Sequence, residues 1–279
     1  MFLSQDAILD QVKELGIMND STSAAIPPLP PWLEWLEVCP STNTWAIEHL
    51  AQLDHGTVVV TRHQTHGRGQ NGRIWYSPPG VLTLSVILDR IPTSQLSGFS
   101  LIAGLAVVYA IEDLIPSLQN QLRLKWTNDV WLNQRKLAGI LCEGVTNSLS
   151  DGTKLVVGIG LNHHADFANL EISSIRNPIS LHEVVPIIPY EVPLLERLRH
   201  YLLQTAGLFQ SSQHLSCLST LLAAVRDRDA LLGKQITIEL SGEQISGEAI
   251  GIDDRGCLRL QLSDGTIRVF ISGHVIFAE

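Results

Sequence analysis

An α+β fold is expected of this chain: a mixed sheet with helices packed against it, followed by a small C-terminal β-barrel. Three observations predict it. Six apolar or alternating runs of strand length recur between residues 34 and 161. One apolar segment, Ser97 to Leu114, is too long for a strand and reads as a helix buried against the sheet. After Gly233 the texture changes to short β runs broken by turn residues such as Asp-Arg-Gly and Asp-Gly.

The elements follow in order. Residues 1–31 hold a short helical pattern (Ala7 to Met18), then a polar, Pro-rich stretch, and are expected to be an arm and linker. Glu34 to Val38 reads as a strand. Ser41-Thr42-Asn43 follows, where a hydroxyl can cap a helix running to about Leu53. Strands are expected at Thr57 to His63, Val81 to Leu88, Leu122 to Trp126, Lys136 to Val145 and Lys154 to Leu161. Pro-rich loops then introduce two helices, near Leu194 to Leu208 and Leu215 to Leu232. The expected domains are residues 32–232 and 233–279.

Composition bounds the function. With 279 residues, 45% hydrophobic and 17% charged, the chain can bury one sizeable core and a small second domain. Its longest apolar stretch carries Glu112 and Asp113 and is too short to span a bilayer, so no membrane partner is expected. No secretory signal is visible. Cys39, Cys142, Cys217 and Cys257 are scattered without metal-ligand spacing and read as reduced, buried thiols of a cytoplasmic protein. A net charge of −9 without a Lys/Arg run argues against nucleic acid.

The most informative segment is residues 64–75, Gln-Thr-His-Gly-Arg-Gly-Gln-Asn-Gly-Arg-Ile-Trp. Gly67, Gly69 and Gly72 free the backbone to approach a ligand, Arg68 and Arg73 offer planar cationic forks, and no acidic residue interrupts them. Such a loop suits a small anion. The glycines also match G-x-G-x-x-G with Asp89 downstream, but a dinucleotide fingerprint needs its last glycine to open a helix. Here Arg-Ile-Trp-Tyr-Ser-Pro-Pro-Gly follows, which is not helical, and that reading is rejected.

A second constellation is Lys125-Trp126-Thr127-Asn128-Asp129 with Lys136 beyond it: two cations and a carboxylate near a strand end, or equally a solvated hairpin with a surface salt bridge. Gly139 favours a site, because a glycine weakens a strand unless something must approach it. A third is Val156-Val157-Gly158-Ile159-Gly160-Leu161-Asn162, a strand with two glycines and a terminal amide suited to a purine edge or ribose, or a bulged core strand capped by Asn. His163 and His164 read as loop histidines, with no third metal ligand at a partner spacing. Trp32, Trp35 and Trp45 read as packing residues, and no G-x-S-x-G elbow supports a hydrolase.

Taken in order, Ser41-Thr42-Asn43, Gln64 with Gly67-Arg68-Gly69, Gly72 to Pro78, Lys125 to Asp129, Lys136 to Leu141 and Val157 to Asn162 resemble the motifs of biotin protein ligases, and Gly251 to Phe277 resembles that family's SH3-like C-terminal barrel. The resemblance implies a class II synthetase-like catalytic domain that makes biotinoyl-5′-AMP from biotin and ATP with Mg²⁺. Biotin then passes to a lysine of a biotin carboxyl carrier protein, the acetyl-CoA carboxylase subunit. By the same resemblance, Ser41, Thr42, Asn43, Gln64, Gly67, Arg68, Gly69, Gln70 and Lys136 would hold biotin. Arg73, Trp75, Lys125, Asn128, Asp129, Gly139 and Asn162 would surround the adenylate. Catalysis would fall to Lys136, Arg68 and Asp129, the last as base for the incoming lysine. A homodimer paired through the central sheet is compatible with the resemblance. Residues 1–31 are too short for a winged helix, so ligation without repression is expected.

Two positions depart from the family pattern. Gln70 stands where arginine is common, which implies a weaker grip on the phosphate of the intermediate, and Thr127 stands where proline is usual. The rival readings are a lipoate or octanoyl transferase, which would lack Gly72 to Pro78, and a catalytically inert biotin sensor.

Overall fold

A computed structural model describes residues 6, 10, 11, 29–93, 96, 98–146, 153–168, 177–210, 214–240 and 242–277. Seven strands form the main sheet: β1 (Leu33–Cys39), β2 (Val58–Gln64), β3 (Val81–Ile91), β4 (Arg123–Lys125), β5 (Asp129–Leu132), β6 (Arg135–Thr146) and β7 (Thr153–Asn162). Their order is β1-β2-β3-β7-β6-β5-β4. Only β1 and β2 run parallel, joined over α1 (Thr42–Glu48); the other pairs are antiparallel, which makes the sheet mixed as expected.

The two faces of this sheet differ because successive side chains alternate. One face carries Leu84, Val86, Ile140, Val157 and Ile159 into the principal core. Against it lie α2 (Phe99–Leu114), over β4 to β6, and α3 (Glu191–Gln210), over β3, with α4 (His214–Arg226) packed on both helices. Covered on more than one side, α2 is apolar nearly all round, with residues from Phe99 to Ile111 mostly buried. The other face carries Thr83 and Ser85 on β3, Gly158, Gly160 and Asn162 on β7, and Gly139 and Leu141 on β6, in register across the sheet. Beside them, α1 buries Ala46 in a satellite cluster with Val59, Ile87 and Val156. That second face is therefore greasy at one end and dented by glycines at the other.

The C-terminal sheet is five-stranded and antiparallel: β8 (Gln235–Leu240), β9 (Glu243–Ile252), β10 (Leu258–Gln261), β11 (Ile267–Phe270) and β12 (His274–Phe277), in the order β11-β10-β9-β8-β12. Asp253 makes the β9–β10 turn by accepting the Arg255 and Cys257 N–H groups (2.9 Å each). This sheet meets the first where Trp126 Nε1 donates to Gly256 O (3.1 Å), and Arg226 Nε donates to Ile252 O (2.8 Å).

Several expectations are corrected. Strand β5 lies inside what read as a turn. α1 ends at Glu48, not Leu53, and α4 at Arg226, not Leu232. The Ser41 hydroxyl makes no capping bond; the Thr42 N–H is satisfied instead by Gln64 Oε1 at 2.8 Å. The Ala7 to Met18 helix lies outside the described residues except for Asp10 and Gln11. Gln11 bonds to the N-terminus of α3, accepting Val192 N–H (3.0 Å) and donating to Glu191 (2.8 Å). His163 does sit in the loop after β7, as expected, and is buried there, with Nε2 2.8 Å from Pro189 O. Cys39 and Cys257 are buried, and burial pushes the Cys142 thiol up to about 12, which leaves it inert as a nucleophile. The Cys217 side chain lies outside the described atoms. Among the described residues no helix is long and apolar enough to cross a membrane.

Candidate functional site

The dented face of the sheet forms the floor of a cavity of about 540 Å³. Its roof is the segment Gly67–Trp75, folded as a hairpin: Gly69 N–H donates to Arg73 O (2.7 Å) and Trp75 N–H to Gly67 O (2.9 Å). The tip is a 3-10 turn, Gln70–Gly72, whose Asn71 (φ 57°) and Gly72 (φ 73°) reverse the chain. The glycines of the floor make room, though not directly for a ligand as the sequence suggested. A Cβ on Gly160 would lie 2.2 Å from the Trp75 ring and one on Gly158 2.4 Å from Asn43 Oδ1. Two bare Cα positions thus seat the side chains that wall the cavity.

Of the sequence-predicted residues, Ser41, Thr42, Asn43, Gln64, Arg68, Gly69, Gln70, Arg73, Trp75, Lys125, Asn128, Asp129, Lys136, Gly139 and Asn162 all line this one space. Gly67 does not. It is buried under Trp75, whose carbonyl oxygen would be 2.3 Å from a Cβ there, so its smallness lets the hairpin close. Asn128 and Asn162 hold backbone: Asn128 Nδ2 donates to Ile140 O (2.7 Å) and Asn162 Nδ2 to Lys136 O (3.0 Å). Gln70 and Thr127, the two departures from the family pattern, meet each other, with Thr127 Oγ1 donating to Gln70 Oε1 at 2.7 Å. The Trp126–Thr127 peptide bond is cis.

The cavity is polar at both ends. At one, Thr42, Asn43 and Gln64 are buried together with Ser85, whose Oγ lies 2.7 Å from Thr42 Oγ1 and 2.6 Å from Asn43 Oδ1. At the other, Lys136 Nζ sits 2.6 Å from Asp129 Oδ1 and 5.3 Å from the centre of the Trp75 ring. That ion contact is too oblique for a hydrogen bond, since Asp129 Oδ1 is buried without a hydrogen-bond partner. Lys125 lies over the Trp131 ring at 5.2 Å. Arg68 does not stand alone in the loop: its Nη2 is 2.5 Å from Glu143 Oε2. Such a space admits a small molecule with a polar head and an anionic tail, and the cations beside the tail can bring a second anion to it.

Sequence reasoning missed six contributors. Ser85 and Glu143 are polar residues that follow apolar runs inside their strands (Leu84-Ser85-Val86, Ile140-Leu141-Cys142-Glu143), which is itself a signal, because a polar group taken out of water needs a partner. Trp131 lines the cavity from the unforeseen strand β5. Gly273, His274 and Val275 reach it from the C-terminal sheet, and no local pattern marks them. Among the described residues, no group of three His, Cys, Asp or Glu could hold a metal.

Residues 35–162 match the model of the biotin/lipoate A/B protein ligase family, and residues 231–278 match that of the biotin protein ligase C terminal domain. The chain is 30% identical over 272 residues to the bifunctional ligase/repressor BirA of Escherichia coli, covering 96% of this chain and 78% of BirA. It is 31% identical over 225 residues to the biotin–[acetyl-CoA-carboxylase] ligase of Mycobacterium tuberculosis, covering 79% of each. Among solved structures, biotin protein ligase from Aquifex aeolicus in complex with biotin and ATP superposes with a TM-score of 0.71 at 26% identity, covering 88% of this chain and 97% of that one.

Proposed function

This chain belongs to the biotin protein ligases of the biotin/lipoate A/B protein ligase family, and from that premise we propose that it joins biotin to a lysine of a biotin carboxyl carrier protein through biotinoyl-5′-AMP. One observation carries the site reading: Arg68, Lys136 and the buried group Thr42, Asn43 and Gln64 open on a single cavity of about 540 Å³. The ring of biotin takes the Thr42–Gln64 end and its carboxylate the Lys136 end.

In the first step a carboxylate oxygen of biotin attacks the α-phosphorus of ATP and pyrophosphate leaves. Two anions must approach, so the barrier falls if fixed cations hold them together. Lys136 is placed for that by Asp129 and the Trp75 ring, and Arg68 by Glu143. Mg²⁺ fits only as an ion carried by the phosphates, with Asp129 the carboxylate beside it, since that ion typically uses one or two carboxylates plus substrate phosphate. It would neutralise phosphate charge.

In the second step the carrier lysine attacks the acyl carbon and AMP leaves. A free lysine titrates near 10.4, so stripping its proton at pH 7 costs about 4.6 kcal/mol. Asp129 is the group proposed to take that proton. The Gly67–Trp75 hairpin excludes water from the mixed anhydride meanwhile.

The reading includes ligation without transcriptional repression, supported by the net charge of −9; biotin-dependent binding to one DNA sequence in a gel shift would overturn that part. The test of the whole is pyrophosphate exchange into ATP. Exchange that needs biotin and ignores lipoate, followed by transfer to a carrier domain, is the expected result. Lipoate-dependent exchange would make the chain a lipoate ligase, and no exchange with either would leave a biotin sensor.

A further inference from the structure

We propose that the outward face of β11 is the docking surface for the carrier domain, with Ile267, Val269 and Ile271 holding that domain while its lysine enters the cavity. The proposal rests on the ligase reading and names a surface which that reading leaves open.

Alternation along β11 gives the first part of the argument. Phe270 turns inward and is buried, and the Arg268 guanidinium shares its side, 5.5 Å from the ring centre. Ile267 and Val269 stand on the opposite side, 46% and 47% exposed, and Ile271 just past the strand is 70% exposed. Their neighbours across the ladder do not cover them, since Val269 faces Arg259 and Ile267 faces Gln261. β11 is also an edge strand, paired among the described residues with β10 alone. Edges are commonly blunted by a proline or a charge. This one has no proline, and its one charged residue, Arg268, is taken up by Glu243 at 3.2 Å. An apolar stripe on a sheet edge, without a charge of its own, is a surface kept for a partner.

The place of the stripe says which partner. Ile271 and Ser272 share with Arg68 to Arg73 of the hairpin a second cavity of about 530 Å³. Gly273, His274 and Val275, next along the chain, line the main cavity. The stripe therefore runs into the rim of the site within a few residues. Ile74 and Tyr76, in and just after the hairpin, are 64% and 37% exposed and add apolar surface to the same rim. Transfer obliges a protein-borne lysine to come to this rim, so the domain carrying that lysine must rest on what adjoins it. Area points the same way. Three partly exposed side chains fall well short of the roughly 800 Å² per partner that holds a stable complex, so they do not account for a lasting pair of copies of this chain. They suit a domain that docks, reacts and leaves.

The test is Val269→Asp, which sets a charge in the middle of the stripe, assayed with a carrier domain that the wild type biotinylates. KM for the carrier should rise about tenfold or more, the scale of losing one central contact of an interface. Biotin-dependent pyrophosphate exchange should keep its wild-type rate, and so should transfer from preformed biotinoyl-AMP to hydroxylamine, because neither uses the carrier. Ile187→Asp, a charge on an exposed isoleucine in the loop before α3, should change none of these. An unchanged carrier KM overturns the proposal, as does an equal rise in Ile187→Asp or a Val269→Asp protein that loses exchange in step with transfer. A lower mass in analytical ultracentrifugation with the carrier KM intact would overturn it too, giving the stripe to a second copy of the chain. If Val269→Asp does not fold by circular dichroism, Ile267→Ser decides in the same terms. Failure of wild-type exchange with biotin would instead sink the ligase reading.

Discussion

Replacing Gly160 with alanine tests how the sheet seats the roof of the cavity. The added Cβ would lie 2.2 Å from both Cε2 and Cζ2 of Trp75. Carbon contact begins near 3.5 Å, so the ring must retreat by about 1.3 Å. On the β6 side the ring already lies close over Gly139, where an added Cβ would be 2.9 Å from Cζ3. The retreat is outward, taking Trp75 away from Lys136 and loosening the hairpin it anchors. Overpacking of this kind costs about 1–3 kcal/mol, and here most of it falls on the seated position of Trp75 rather than on global unfolding. Local strain of that size is roughly a 5- to 150-fold shift in the population with Trp75 seated. KM for ATP in biotin-dependent exchange should rise within that range, with Tm lowered by only a few degrees. Gly207, in α3 with nothing within 4 Å of its missing Cβ, supplies the control: alanine there should leave kinetics alone and add up to about 1 kcal/mol of stability. A Gly160→Ala protein whose ATP KM and kcat stay within twofold of wild type would refute the packing argument.

The other expectations concern single side chains. Lys136→Ala should lower exchange by about a hundredfold or more, the scale of losing one preorganised charge, with an unchanged circular dichroism spectrum; an unaltered rate would remove Lys136 from the mechanism. Asp129→Asn should slow single-turnover transfer from preformed biotinoyl-AMP by about 10²-fold, and transfer at the wild-type rate would end its role as base. Thr127→Val removes the donor that holds Gln70, so biotinoyl-AMP should escape faster into a chase of free carrier-less solution; equal retention would make the Gln70 contact idle. Burial holds the His163 imidazole below the ordinary 6.5, against the upward pull of Glu191 and the Pro189 carbonyl. The unfolded chain therefore takes up a proton near 6.5 that the folded protein refuses, so stability is full above that value and falls as pH drops through it. Tm should decline from about pH 7 to 5.5 more steeply in the wild type than in His163→Gln, and parallel declines would contradict this.

The α+β class was legible because its signals are local. The Ser97 to Leu114 run could only be a helix, and Asp-Arg-Gly at 254–256 could only be a turn. Misreadings arose where tertiary packing overrode pattern. Leu50 and Leu53 continue the spacing of α1 past its end because the turn after Glu48 also packs on Val59 and Ile87. β5 escaped because its four residues exist as a strand only through pairing with β4 and β6. The site residues gathered well, since Gly, Arg and Lys clusters advertise themselves along the chain. What they touch did not. The loop read as lacking an acidic residue, yet Glu143, 75 residues on, supplies the carboxylate. Likewise Gly160 was read as yielding to a ligand when it yields to Trp75. Contacts of that range depend on strand register, which a sequence does not state.

The cavity is bounded on one side by Gly273, His274 and Val275. Its polar end at Thr42 and Gln64 is made some two hundred residues earlier. On a ribosome these parts emerge far apart in time, and domains made first generally fold first. A nascent chain stalled before residue 273 can carry the whole seven-stranded sheet and still have a cavity with one wall absent. Competence for chemistry therefore arrives late in synthesis, after the sheet that houses it, and a half-made chain has the roofing hairpin over a reactive anhydride but not the wall that closes its side.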